Sequence, residues 1–136
     1  MKGMEVMIVR VIVLAALGLT ATMPVTAKEV PGFARVGDCA RTTVRLVTTR
    51  LAERDGRPVP NTGSSVALAN GIHGVNYDQV PAVDTSKRGD PVLACLVKLP
   101  THCPPGDDRG RWYTVTNLRT LKSWTLPDSQ HMCGGA

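Results

Sequence analysis

The residues best equipped for chemistry lie in the last third of the chain. Asp107-Asp108-Arg109 is flanked by Gly106 and Gly110. Two carboxylates on a glycine-hinged loop suit Ca²⁺ binding or an acid/base pair. The D-x-D-x-D-G spacing of an EF-hand is absent. A turn in which the Asp side chains accept backbone N–H groups, with Arg109 neutralising them, explains the same residues. Asp128-Ser129-Gln130-His131 sets a Ser, a His and an Asp close together. Hydrolase triads draw their members from separated segments, and no G-x-S-x-G elbow occurs. His73, His102 and His131 are numerous enough for Zn²⁺, but their spacing matches no ligand motif. No metal or cofactor is expected.

Three further features carry weaker signals. Arg88-Gly89-Asp90 is the tripeptide of integrin ligands, but it is also what a β-turn entering a strand contains. Arg41, Arg45, Arg50, Arg54 and Arg57 make one segment basic and suited to anionic polymer, phosphate or lipid headgroups. No Phe, Tyr or Trp lies between Ala34 and Asn76, so that segment offers no stacking platform and no nucleic-acid partner is expected. Trp112, Tyr113 and Trp124 complete the set. Alternation sends Trp112 and Tyr113 to opposite faces; an exposed Tyr or Trp beside Arg111 would contact a ligand, while core packing is expected of at least one Trp.

These residues need elements to hold them. Cys39 to Leu51 is rich in Thr and Val and reads as a strand. Its apolar phase switches near Leu46, which predicts a bulge or burial on both faces. Ser64–Ala69 and Ile72–Tyr77 flank Asn70-Gly71, the preferred pair of a type I′ hairpin. A two-residue turn there sets Val66 opposite Val75 and Leu68 opposite His73. Asp78–Asp90 leaves room for one helical turn, and Pro91–Leu99 reads as a central strand. Arg111–Asn117 and Ser123–Leu126 form a second hairpin. Five or six short strands predict an all-β fold: a small barrel or sandwich of OB-like or SH3-like size.

The chain has 136 residues, with 16 Lys+Arg against 11 Asp+Glu. That length fits one domain and argues against a two-domain enzyme. Residues 1–27 read as a signal peptide: Lys2 and Arg10, an apolar run to Leu19, then Val25-Thr26-Ala27 as the cleavage site. An uncleaved anchor is the competing reading, because the stretch could just cross a bilayer. Thr20, Thr22, Pro24 and Thr26 dilute it and favour cleavage. The mature domain is then 28–136, periplasmic or secreted, with no stable membrane span.

All four cysteines (Cys39, Cys95, Cys103 and Cys133) fall in that part. An even count in a small exported domain reads as two disulfides, and no C-x-x-C pair suggests metal. If Trp112 faces Trp124 across the last hairpin, extending the ladder brings Cys103 to Cys133. This leaves Cys39 for Cys95. The rival pairs Cys95 with Cys103 and Cys39 with Cys133, and sequence alone does not decide between them.

The second half of the chain carries Cys95-Leu96-Val97, Cys103-Pro104-Pro105-Gly106-Asp107-Asp108-Arg109-Gly110 and Thr116-Asn117-Leu118-Arg119-Thr120. Ser123-Trp124, Leu126-Pro127-Asp128-Ser129-Gln130-His131 and Cys133-Gly134-Gly135-Ala136 follow. This pattern resembles a group of small exported bacterial proteins of unassigned function. The resemblance implies export but brings no activity, so no functional residue is carried over. The reading from the residues is an exported, non-catalytic binding or structural protein of the cell envelope, with an envelope or extracellular partner. Its expected surface is Asp107, Asp108 and Arg109 with Tyr113, Asp128 and His131. The alternative is a small periplasmic hydrolase using Asp107 or Asp108 with His131.

Overall fold

The computed structural model describes residues 33–135, so the expected signal peptide lies outside them. Six antiparallel strands form one sheet: β1 (Cys39–Thr49), β2 (Ser64–Leu68), β3 (His73–Asn76), β4 (Pro91–Lys98), β5 (Trp112–Asn117) and β6 (Ser123–Pro127). Their spatial order is β3-β2-β1-β4-β5-β6, with the one-turn helix α1 (Pro81–Asp84) between β3 and β4 in the chain. Among the described residues no helix is long and apolar enough to cross a membrane.

The expected barrel or sandwich is a half-barrel, and β1 is the reason. Its first half pairs with β4, from Cys39↔Cys95 to Thr43↔Pro91. Its second half pairs with β2, from Val44↔Leu68 to Thr49↔Ser64. The register shifts between Val44 and Leu46, so Arg45 is the extra residue of a bulge. A bulge bends its strand and sharpens its twist. Here it turns β1 from one half of the sheet into the other and curls β3 towards β6. Gly74 permits the approach: a Cβ there would lie 3.2 Å from Val66 Cγ1 and 3.4 Å from Leu126 Cβ.

The concave side holds the core. Val44, Val66, Leu68, Val92, Ala94, Leu96, Val115, Trp124 and Leu126 converge there, and Phe33 and Val83 of α1 close it. Alternation along β5 and β6 puts their intervening residues outside, whereas all five residues of β2 are buried. The two disulfides are Cys39–Cys95 and Cys103–Cys133. The first joins directly opposed residues of β1 and β4, with Cα atoms 4.1 Å apart.

Both hairpin registers differ from the sequence-based expectation. Leu68 N–H donates to Ile72 at 2.8 Å and Gly71 N–H to Leu68 at 3.1 Å, so the first loop has three residues, not two. Gly71 alone takes positive φ there (95°), as in a type I turn closed by a glycine bulge. His73 therefore faces Ala67, and Val75 faces Ser65. In the second hairpin Trp112 faces Pro127 and Val115 faces Trp124. Cys103 and Cys133 meet without that ladder, because Cys133 N–H reaches Arg109 C=O at 3.0 Å beyond its end.

Candidate functional site

The loop around Asp107 and the C-terminal tail do lie side by side. Asp128 N–H donates to Arg111 C=O at 2.9 Å, and Gly110 N–H donates to Asp128 Oδ1 at 2.8 Å. The carboxylates are nevertheless committed. Asp107 accepts Arg109 Nε and Nη2, each at 2.8 Å, and Gly134 N–H at 3.0 Å. The Arg109 guanidinium holds its carboxyl well below the usual carboxylate range, so it cannot carry protons near neutrality. Asp108 is exposed and sits 3.6 Å from Arg111.

His131 is exposed, and its carbonyl accepts Ser129 Oγ at 2.7 Å. Its ring makes no hydrogen bond or ion pair to Asp107 or Asp108 among the described residues. The expected acid/base pair is not assembled. Tyr113 corrects a second expectation: it is 3 % exposed and packs edge-on to Phe33 at 5.6 Å, so it is core and not surface. A burial requirement drives this, since β5 has alternate residues on the concave side.

Asp90 of the Arg-Gly-Asp tripeptide is 6 % exposed. It binds Arg119 through Nε and Nη2, Asn117 Nδ2 at 2.8 Å and Lys87 N–H at 2.8 Å. That carboxylate is spoken for inside the turn. His73, His102 and His131 do not converge, and no group of three or more His, Cys, Asp or Glu among the described residues could hold a metal ion.

One other polar constellation has the geometry of a reactive centre. Ser65 Oγ lies 2.9 Å from His73 Nε2, and His73 Nδ1 lies 3.3 Å from the main-chain carbonyl of Asp128. The observed hairpin register creates the pair. With Ser65 opposite Val75 and Ala67 opposite His73, the two side chains are diagonal neighbours on the convex face. The curl of the sheet then brings the end of β6 to His73.

The partners fix the proton positions. A carbonyl only accepts, so Nδ1 of the neutral imidazole carries the proton and Nε2 accepts from the serine hydroxyl. That is the tautomer of a general base poised on a hydroxyl. His73 is exposed, whereas Ser65 is only 7 % exposed. The Asp128 carboxyl does not orient the imidazole. Burial pushes it above its ordinary value, while the Gly110 N–H works against that shift.

Sequence reasoning considered His73 only as a metal ligand and missed its pairing with Ser65 through a single residue of register. A two-residue turn puts them on opposite faces; the three-residue loop puts them on one. The glycine of Asn70-Gly71 is common to both turn types, so only the loop length separates them. The third member is a backbone carbonyl, which leaves no trace in sequence.

No protein-family model, curated protein sequence or solved structure matches the chain.

Proposed function

We propose that this is an exported, disulfide-stapled hydrolase of the acyl-transfer class, with Ser65 as nucleophile and His73 as general base. The observation that carries the reading is the 2.9 Å contact between Ser65 Oγ and His73 Nε2, with Nδ1 anchored on the Asp128 carbonyl. In this reading Ser65 Oγ attacks the acyl carbon while His73 Nε2 takes the hydroxyl proton. The proton passes to the departing alkoxide or amine as its bond to the acyl carbon breaks. Water, deprotonated by the same nitrogen, then cleaves the acyl–serine bond and restores both groups. Export is supported by the leader-like residues 1–27 and by four cysteines paired in two bonds, which persist in oxidising compartments.

The test is hydrolysis of p-nitrophenyl acetate by the oxidised mature protein. Ser65→Ala and His73→Gln should each lower turnover by about 10²–10⁴-fold. Circular dichroism and intact mass confirm that both variants fold and oxidise. Turnover equal to wild type in both folded variants rejects the reading.

A second reading, non-catalytic binding to an envelope partner, draws on a different observation. Ser65 is only 7 % exposed, whereas an open depression of about 160 Å³ lies beside the Cys103–Cys133 bond. Lys98, Pro100, Thr101, Gly110 and Met132 line it. There the tail and the loop would form a docking surface, and His73 would serve to latch the tail to the sheet.

A further inference from the structure

Arg50 follows β1 directly, and its N–H donates to Gly63 C=O at 3.1 Å, which continues the β1–β2 register by one residue. Thr48 stands opposite Ser65, so alternation puts Arg50 on the same convex face, one diagonal from Ser65. Such diagonals span about 7–8 Å between Cα atoms. His73 occupies the other diagonal of Ser65. The serine is flanked by the imidazole on one side and the arginine on the other.

Arg50 is also held in place. Its Nε donates to Thr62 C=O at 2.8 Å, Nη1 donates to Gln130 Oε1 at 2.9 Å, and its Cζ lies 4.4 Å above the Tyr77 ring centroid. All three partners are neutral. Among the described residues the guanidinium has no carboxylate partner, and Nη2 has no protein acceptor. A guanidinium fixed by neutral groups keeps its charge uncompensated and has its fork pre-oriented, which favours a carboxylate.

We infer that Arg50, backed by Tyr77 and Gln130, is an anion site that selects acyl substrates carrying a carboxylate one sheet row away from the scissile carbonyl. Its catalytic half rests on the Ser65–His73 reading; the anion site itself does not. A short dicarboxylic monoester such as a glutarate ester has the reach to place its ester carbon at Ser65 and its free carboxylate at Arg50.

The experiment compares mono-(p-nitrophenyl) glutarate with p-nitrophenyl acetate on wild type and Arg50→Gln. The ratio of kcat/KM values, glutarate ester over acetate, should fall about 10–100-fold in the variant. Arg50→Lys should keep part of the preference, since the charge survives and the fork does not. In parallel, free glutarate is titrated against both proteins and amide NMR shifts are followed at Arg50, Gly63 and Tyr77. Saturable shifts in wild type that vanish in Arg50→Gln support the anion site even where no ester is cleaved. Absence of saturable shifts overturns it. An unchanged ratio, with Ser65-dependent turnover of both esters, overturns the selectivity and leaves the hydrolase intact.

Discussion

His73 and Asp128 join the two outer strands of the sheet through one hydrogen bond, Nδ1–H to a main-chain carbonyl at 3.3 Å. The bond follows β6 by one residue and sits at the first residue of β3. The imidazole thus depends on the curl of the sheet and not on a neighbouring carboxylate.

Asp128→Asn separates those two dependencies. The Asn keeps an acceptor for Gly110 N–H and keeps the carbonyl that His73 uses. Ester hydrolysis should fall by less than about tenfold, against the roughly 10⁴-fold loss when a carboxylate orients the imidazole. Stability should move the other way. The folded state raises this carboxyl's pKa, so ionisation costs stability as pH climbs past the ordinary value of about 4. The variant should melt higher than wild type at pH 7, and the gain should disappear at pH 3 in thermal scans.

Asp90 titrates with the opposite sign. Arg119 holds its carboxyl well below the usual range, and Asn117 and Lys87 N–H add to that. Its contribution to stability is present above the unfolded value of about 4 and is lost as pH falls. Asp90→Asn should lower the melting temperature by several degrees at pH 7 and flatten its decline between pH 5 and about pH 2. A variant with the wild-type acid profile would refute this.

The two disulfides close loops of different length, with sequence separations of 56 and 30. Chain-entropy reasoning assigns about 4 kcal/mol to the first and about 3.5 kcal/mol to the second. Urea titrations of the Cys39→Ser/Cys95→Ser and Cys103→Ser/Cys133→Ser double variants should rank them in that order.

Gly63 and Gly71 both take positive φ, 96° and 95°, but their surroundings differ. A Cβ at Gly63 would lie 2.1 Å from the Asn76 carbonyl oxygen, whereas at Gly71 it meets nothing within 4 Å. Gly71→Ala should cost about 1–2 kcal/mol from backbone strain alone. Gly63→Ala must also push β2 away from β3, so it should unfold at markedly lower urea or fail to fold. Equal midpoints would contradict the contact.

Asp107→Ala should do little to the melting temperature, because its ion pair with Arg109 is at the surface. It removes the acceptor for Gly134 N–H. Hydrogen exchange at that amide should accelerate, with the core strands unchanged.

Much of this was legible in the sequence. Val44, Leu46 and Val47 break strand alternation, and the bulge sits at Arg45 between them. The pairing Cys39–Cys95 with Cys103–Cys133 matches the favoured expectation. It does so although the register invoked for it is wrong, since Trp112 faces Pro127. Propensity and turn residues mark where strands run, because those are local properties. Register depends on loop geometry and on which face is buried, and one residue of slip inverts a strand. Tyr113 illustrates the same limit: alternation separates it from Trp112, but only the packed core decides that the phenol goes inward.

The bonded cysteines follow one another along the chain, 39 with 95 and then 103 with 133, so neither covalent ring encloses the other. The first ring contains Ser65 and His73 whole; the second brings Asp128. A polypeptide emerging from its amino end could therefore close the first ring before the second exists. No threading is needed and neither ring waits on the other, which leaves few wrong pairings to undo.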